Sequence, residues 1–586
     1  MARSSNLKLL PALAAALCLA ACGGSINRYS GPVRVVVSPA APVVLPGESL
    51  VFGARTINSN GGISWSMAGG SADGTMLPGG EYIAPSVVPT PNTVTVTATY
   101  TRDTSVSTSV TITIVAPEYS NASLSGQCAI SFRGRDPQGA GLAWAGEFTA
   151  DGDGHITNGL EDVNDGLAGV TTAAAFTGSY AIGADGRGTL TLTPASGAAQ
   201  QYRLVLSRPA PNAAAQLIAF GKGATAQGSG QILQQNPSYF SNAFNLAPAF
   251  LIQGEDDSQY AASGKSYPWA IAGEVAEDLY GNVTGITEDS NYAGTVTSGP
   301  VSGTYTFSMS ASGRGSLSLP NPRGGTQHFA AYAVDGNFLF VSIDPGEPLL
   351  GTAEPEQNPT AALQGNWVYA LSGFAARQNG AGQSQMVPAA TAGAFATDGS
   401  GNITGGSVDT NDNGTVSGGV LSGSYTAPSA GRIRLSLSAN GDANQTFAVY
   451  IFSLSPLQGF LIETDATGTE AGDIYAQSAS PAGGVAGIYA FALAGWDASS
   501  TTPVPRDLLG TLTADGISAW KGTQDVNDNA SLQSAQAFTG TFSMNPFGRG
   551  AATIGTSDYN FYMVSPTQLI LLGADQATVL GEAEIY

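Results

Sequence analysis

An internal repeat constrains the fold more than any other feature, because the sequence after Pro117 contains four copies of the same succession of motifs. Each copy opens with an apolar stretch around a glycine, as at 363–367, and a second stretch ends at an Asp-Gly turn, as at 393–399. No helical periodicity interrupts the alternation of apolar and polar residues, so each copy predicts eight short strands. The four copies span residues 124–235, 246–357, 363–477 and 485–586.

Two polar motifs recur with the strands. An Asp-x-Asn-Asp run follows the Asp-Gly turn in three copies, at 162–165, 409–412 and 525–528, while the second copy has Glu-Asp-Ser-Asn at 288–291. A later turn in every copy carries one arginine: Arg187, Arg314, Arg432 and Arg549.

Eight sequential antiparallel strands with one apolar face can close on themselves and leave no free edge. The chain is therefore predicted to be all-β, with four tandem eight-stranded up-and-down β-barrels that are similar in outline to the avidin and lipocalin type. The alternative is a β-propeller built from four-stranded blades. The repeat favours barrels, because a propeller blade usually repeats after about 45 residues and this period is more than twice that.

Residues 33–116 precede the repeats and alternate apolar and polar residues in short runs such as 94–98 and 110–114. This pattern predicts a small β-sandwich. The succession Val37-Ser38-Pro39, residues 47–52, Trp65-Ser66 and residues 80–85 resembles bacterial immunoglobulin-like domains of the second group. The resemblance implies a stalk or adhesion module outside the cytoplasm.

The leading segment predicts where the protein is located. A basic start is followed by an apolar stretch from 9 to 21, which is too short for a permanent membrane span and is typical of a secretory signal. The ending Leu19-Ala20-Ala21-Cys22 resembles the lipobox of bacterial lipoproteins. The resemblance implies cleavage between Ala21 and Cys22, lipidation of Cys22 and a tether over 22–32. Gly23 resembles the signal for transfer to the outer membrane, in a bacterium that has one.

Composition excludes some partners. Loss of Arg3 and Lys8 with the signal leaves 19 of the 21 basic residues against 43 acidic ones, a net charge of −24. Nucleic acid is not an expected partner, because phosphate binding needs a basic surface. Cys128 would be the one cysteine left without lipid, so no internal disulfide is expected, and its place in an alternating strand predicts a small buried hydrophobe.

Tight Asp-Gly hairpins predict a closed end for each barrel, whereas long and dissimilar loops at the other end predict a mouth for ligands. Acidic and amide side chains collect at the proposed mouth, together with Glu463 and Asp465 in the third copy and Asp575 in the fourth. Carboxylate and amide oxygens suit Ca²⁺, although the spacing is not that of an EF-hand, and turn formation by Asp and Asn is the favoured interpretation. The metal candidates are Asp409, Asn411, Asp412, Asp525, Asn527 and Asp528.

Other recurring side chains have two interpretations. The four arginines either pair with a turn aspartate or are solvated turn residues. The aromatic residues Trp367, Tyr369, Tyr489 and Phe491 point into the barrels, where they either fill the core or stack on a sugar.

Catalytic motifs are lacking in the sequence. His155 and His328 are the only histidines and lie at unrelated positions, and no nucleophile elbow, phosphate loop or zinc spacing occurs. The chain is therefore predicted to be a lipid-anchored envelope protein without enzymatic activity or a cofactor, serving as a binding, adhesion or structural module for a glycan, small molecule or protein. The alternative is a carboxylate-dependent enzyme acting on surface polysaccharide, since that chemistry needs only two acids.

Overall fold

The structure, a computed structural model, describes residues 31–585 except 41, 45, 47–48, 86, 116–118, 222–225, 241–247, 278–282, 303–305, 356–362, 379, 381, 427–430, 455–456 and 479–483. Ala21, Cys22 and the leading segment lie outside these residues. Short strands form the first part of the described chain: β1 Arg34–Ser38, β2 Val43–Val44, β3 Ser49–Val51, β4 Gly53–Ile57, β5 Ile63–Met67, β6 Thr75–Met76, β7 Glu81–Ile83, β8 Thr93–Tyr100 and β9 Ser107–Ile114. They form three small sheets, β1-β4, β2-β9-β8-β5 and β3-β7-β6, around one apolar core.

Each repeat copy is called a unit below, numbered 1 to 4 in chain order. Unit 1 is a closed barrel of eight strands: β10 Ser125–Arg135, β11 Gly141–Asp151, β12 His155–Asp165, β13 Gly169–Ile182, β14 Arg187–Pro194, β15 Gln200–Arg208, β16 Ala214–Ala219 and β17 Gln227–Gln234. Each strand pairs antiparallel with the next, and β10 closes the barrel by pairing with β17 from Cys128 opposite Gln234 to Arg135 opposite Gln227. Short 3₁₀ turns flank the barrel at Asn121–Ser123 and Pro237–Tyr239.

Unit 2 is a sheet of nine strands: β18 Pro248–Asp256, β19 Tyr267–Glu277, β20 Val283–Tyr292, β21 Thr295–Val301, β22 Thr306–Met309, β23 Arg314–Pro320, β24 Thr326–Ala333, β25 Phe338–Ser342 and β26 Leu349–Pro355. Its first and last strands pair, as in unit 1. The place of the fourth strand is shared by β21, which pairs with β20, and β22, which pairs with β23, so these two form the ends of the described sheet. A single helical turn, α1 Tyr260–Ser263, follows β18.

Units 3 and 4 are closed eight-stranded barrels. Unit 3 contains β27 Gln364–Gln378, β28 Ser384–Asp398, β29 Asn402–Asp412, β30 Thr415–Tyr425, β31 Arg432–Ala439, β32 Gln445–Leu454, β33 Leu457–Glu463 and β34 Gly468–Ala476. Unit 4 contains β35 Ala486–Asp497, β36 Val504–Asp515, β37 Ala519–Asp528, β38 Ser531–Met544, β39 Arg549–Ile554, β40 Ser557–Ser565, β41 Gln568–Gly573 and β42 Ala577–Ile585. The all-β prediction is confirmed, and units 1, 3 and 4 are the predicted closed eight-stranded antiparallel barrels. The described part of unit 2 departs from the prediction of four closed barrels, because its fourth strand is divided between β21 and β22, which are not paired with each other. The propeller alternative is wrong, because the first and last strands of each unit pair and the strands do not divide into blades.

Side chains fill the barrels. In unit 3, Trp367, Tyr369 and Phe447 are buried in one apolar cluster, and in unit 4 Tyr489 and Phe491 are buried in another. These aromatic residues point inward as predicted, and they pack against aliphatic side chains from the other strands, so core filling is the interpretation that the structure supports.

Cys128 belongs to the core of unit 1 and is fully buried. Burial raises the pKa of its thiol to about 12. The prediction of a small buried hydrophobe is therefore confirmed, because a thiol that stays protonated has little reactivity.

A second set of apolar clusters joins neighbouring units. In each of them the first two strands of one unit present small side chains to the sixth and seventh strands of the following unit; between units 3 and 4, for example, Ala390 and Ala392 pack with Tyr562 and Ile570. The same arrangement joins units 1 and 2 and units 2 and 3. Ala490 and Leu509 of unit 4 pack on Val205 and Ile218 of unit 1 in the same way. The four units therefore close into a ring.

Candidate functional site

The repeated arginines bind the preceding unit of the ring. Arg549 of unit 4 forms two hydrogen bonds of 2.6 Å with the carboxylate of Asp409 in unit 3. The corresponding pairs are Arg314 with Asp162, Arg432 with Asp289, and Arg187 with Asp525. The last pair joins unit 1 to unit 4 and closes the ring. Pairing with a turn aspartate occurs at Arg187, which also binds Asp185 at 3.0 Å.

A tyrosine reinforces three of these four joints. Tyr562 donates a hydrogen bond of 2.6 Å to Asp409, and Tyr450 and Tyr332 donate equivalent bonds to Asp289 and Asp162. Burial, together with the Asp409 charge, raises the pKa of Tyr562, while hydrogen bonding to Asp409 raises the pKa of Arg549. Both groups therefore stay protonated and keep donating to the buried carboxylate.

The asparagine of the same run makes a further contact between units. The Asn411 amide nitrogen lies 2.8–3.0 Å from the carbonyl oxygens of Gly573, Asp575 and Ala577, in the hairpin between the last two strands of unit 4. Asn164 and Asn291 contact the next unit in the same way, and Asn527 donates to the Ala219 carbonyl of unit 1 at 2.8 Å. The Asp-x-Asn pattern therefore forms a joint between units.

The metal candidates do not come together as one site. Asp409, Asn411, Asp525 and Asn527 form the joints just described, whereas Asp412 and Asp528 pair with Arg377 and Arg506 of their own units. The residues expected at the mouth of unit 3 also bind its neighbours: Asn411 donates to the Asp575 carbonyl of the next unit, and the Glu463 and Asp465 carbonyls accept hydrogen bonds from Asn291 of the preceding one. Among the described residues, no group of three or more His, Cys, Asp or Glu side chains is arranged to hold a metal ion.

The two histidines lie apart on exposed surfaces. His155 contacts Asp151 at 2.8 Å in unit 1, and His328 contacts Asp344 at 2.9 Å in unit 2.

A cavity of about 370 Å³ lies where the four units meet. The first strands β10, β18, β27 and β35 all contribute to its lining, together with the last strands of units 1, 3 and 4. This volume is typical of a small-ligand site. Sequence reasoning placed ligand sites at the barrel mouths and missed this cavity, because it exists only once the ring has closed.

Glycines bring the cavity-lining strands together. Each first strand has one in the lining: Gly134, Gly254, Gly373 and Gly495. A Cβ atom there would lie only 1.8–2.2 Å from a carbonyl oxygen of the neighbouring backbone, which no side chain can tolerate. These glycines lie toward the ends of the four first strands, and the close backbone contact explains their use.

The residue after each of these glycines differs between units. Unit 1 contributes Arg135, unit 2 Glu255, unit 3 Phe374 and unit 4 Trp496. Arg135 forms an ion pair with Glu255, and its guanidinium carbon lies 5.2 Å from the centre of the Trp496 ring. The Phe374 and Trp496 rings are 6.1 Å apart. The four equivalent positions therefore hold a charged pair from units 1 and 2 and an aromatic pair from units 3 and 4, and Arg135 joins the two pairs by its contact with Trp496.

Three further carboxyl groups line the cavity. Asp507 lies opposite Ala494, at the position where the other units have Ala143, Ala270 and Ala390. Burial raises the pKa of Asp507 to about 8, although hydrogen bonds from the backbone of Gly228 and Gly495 act in the opposite direction and lower it. Burial also raises the pKa of Asp473 to about 8 and that of Glu582 to about 7, and the charge of Glu582 adds to the effect on Asp473.

Some of the polar atoms in this lining lack a partner. Within the described structure, Asp507 Oδ2, Glu255 Oε2 and Gln227 Oε1 are buried without a hydrogen-bond donor. A buried acceptor that makes no hydrogen bond destabilises a protein, so a bound ligand with donor groups would relieve this cost.

Comparison with known proteins gives no family. No known protein-family profile and no curated protein matches the sequence. Among solved structures, the chain has a similarity to a mutant of the vaccine antigen Transferrin Binding Protein B from Haemophilus parasuis Hp5, with 10% identity over 96% of this chain and 97% of that chain and a TM-score of 0.13. A TM-score this low gives no information about the fold or function of this chain. Among the described residues, no helix is long and apolar enough to cross a membrane.

Proposed function

We propose that this chain is a lipid-anchored binding protein of the bacterial cell envelope, and that it holds a small-molecule ligand in the cavity between its four units. The observation that carries the proposal is the contrast between the filled barrels and this cavity, which is lined by all four units. In this account Cys22 carries the lipid and the immunoglobulin-like module raises the ring above the membrane. Two lipid chains or more would give a stable anchor.

The proposal predicts that blocking the cavity abolishes binding. Ser372 lines the cavity, and Ser372→Trp would fill much of it; Ser422 is an exposed residue on β30 of the same unit, so Ser422→Trp is the matched control. The mature chain with Cys22→Ser is screened against a metabolite library by thermal shift, and hits are measured by calorimetry. We expect hits to bind the control and not Ser372→Trp.

Other results of this screen would overturn the cavity assignment. Failure of every compound to bind would do so, as would a small molecule that binds Ser372→Trp unchanged. A glycan or protein ligand that binds both variants equally would place the binding surface on the outside of the ring, and release of sugars from a polysaccharide would favour the enzymatic alternative.

The anchor is tested separately. Cells expressing the full chain are labelled with radioactive palmitate and fractionated. We expect label and membrane association for the native chain and neither for Cys22→Ser, and labelling of the variant would contradict the proposed anchor.

A further inference from the structure

The cavity lining contains more acidic than basic side chains. It contains two arginines, Arg133 and Arg135, and four carboxyl groups, those of Glu255, Asp473, Asp507 and Glu582. Burial raises the pKa of Asp473 and of Asp507 to about 8, so the lining reaches its full net charge of −2 only above that pH, and a bound cation would favour the ionised carboxylates at lower pH. A cavity with an excess of one charge attracts ligands of the opposite charge, because its low-dielectric walls strengthen electrostatic interactions.

Within the cavity the positive charges are confined to one side. Both arginines come from β10 of unit 1, Arg135 is paired with Glu255, and the charge of the same carboxylate acts on Arg133. Asp473 and Glu582 come from the last strands of units 3 and 4, and the charges that act on Asp473 are those of Glu582 and Glu354. The charges of these acidic groups therefore repel one another, and among the described residues no cation acts on Asp473.

The atoms without a partner require the same kind of ligand. Asp507 is 3% exposed and Glu255 is 9% exposed, yet one carboxylate oxygen of each lacks a donor in the described structure, as does Gln227 Oε1. All three lie in the cavity lining; Gln227 Oε1 is an acceptor, and the two carboxyl oxygens are acceptors in their ionised form. A ligand that satisfies them must donate hydrogen bonds.

We infer that the cavity binds a small organic cation with N–H donors, such as an aliphatic amine, with Asp507 and Asp473 as its principal carboxylate partners. This inference rests on the proposed function, since it names the ligand class of the same cavity. The Phe374 and Trp496 rings supply an apolar wall for the carbon chain of such a ligand. The four-carbon diamine 1,4-diaminobutane is a suitable probe, since it carries an ammonium group with N–H donors at each end of a short carbon chain.

Calorimetric titration of the mature chain tests the ligand class. The probes are 1,4-diaminobutane, the uncharged butane-1,4-diol and the anion succinate, which share a four-carbon chain. We expect the diamine to bind and the other two not to bind. Asp507→Asn and Asp473→Asn should each lower the affinity for the diamine by at least tenfold. Asp558→Asn, which changes an exposed aspartate of unit 4, should leave that affinity unchanged.

The outcomes separate this inference from the proposed function. Failure of the diamine to bind, or equal binding to native protein and both cavity variants, overturns the cation inference. If the diol or succinate binds and Ser372→Trp abolishes that binding, the cavity is a ligand site for another chemical class. If the diamine binds Ser372→Trp as tightly as the native chain, both proposals fail.

Discussion

At the scale of single residues, Asp409 and Asp412 lie three positions apart and have different roles. The Asp409 side chain is 3% exposed and accepts hydrogen bonds from Arg549 and Tyr562 of the next unit. Asp412 pairs with Arg377, whose side chain is 50% exposed. Solvent screens and weakens the Asp412–Arg377 pair. The Asp409–Arg549 pair lies in an interface between units, where removal of the carboxylate would leave the arginine without a partner and destabilise the protein.

We therefore expect Asp409→Ala to lower the free energy of unfolding by about 2–3 kcal/mol, a value reduced from that of a fully buried pair because the Arg549 side chain is 33% exposed. Asp412→Ala should cost less than about 1 kcal/mol. Urea denaturation of the two variants, compared with the native chain, measures both values. Equal losses would show that the joint between units 3 and 4 contributes no special stability.

Asp507 predicts a dependence of stability on pH. Its pKa is about 8 in the folded protein, against about 3.9 in an unfolded chain, so the folded state binds more protons between these values. Its contribution to stability is complete below pH 4 and is lost as the pH rises to 8. We expect Asp507→Asn to show a smaller loss of melting temperature than the native chain between pH 5 and pH 8. Parallel curves for the two proteins would contradict the assignment.

Residue types could be predicted from the sequence, but their partners could not. The repeated arginine and aspartate were visible, and pairing between them was one interpretation. Every unit contains both residues, however, so the sequence alone does not tell whether they meet within a unit or across two. The Arg549–Asp409 contact depends on how two closed barrels pack, which strand periodicity does not determine.

At the scale of strands, the second strand of each unit has a feature that predicts packing between units. In β11 the residues Leu142, Ala143, Trp144 and Ala145 are all apolar and all buried, so both faces of the strand are covered. A barrel alone covers only the inner face. Apolar residues on both faces therefore indicate a partner outside the barrel, which is unit 2.

The first strands give a prediction about close packing. Gly373→Ala would place a methyl group 2.1 Å from the Thr469 carbonyl oxygen, whereas Gly285 in β20 has no atom within 4 Å of an added Cβ. We expect Gly373→Ala to lower the free energy of unfolding by about 1–3 kcal/mol and Gly285→Ala to change it little. Thermal unfolding compares them, and a fully stable Gly373→Ala variant would show that the strands around the cavity can separate freely.

At the scale of the whole molecule, the four units share a ring whose closure creates the cavity. Units 1 and 4 are the most distant in sequence, yet Arg187 of unit 1 binds Asp525 of unit 4 at 3.0 Å and Arg203 donates to Ser534. An open row of barrels would satisfy the other three joints equally well. The contact between units 1 and 4 is therefore the decisive one for the cavity and for every function assigned to it.

The most direct test is a distance between units 1 and 4, measured by pulsed electron spin resonance with labels at Gln201→Cys and Gln533→Cys in a Cys22→Ser background. Both positions are exposed and lie beside the Arg203–Ser534 contact, and the remaining Cys128 is buried. The corresponding positions at the joint of the consecutive units 3 and 4 are Ser417 and Asp558, which give the control pair. A closed ring predicts the same short distance for both pairs; a long distance for the first pair with a short one for the control would contradict the ring and remove the cavity.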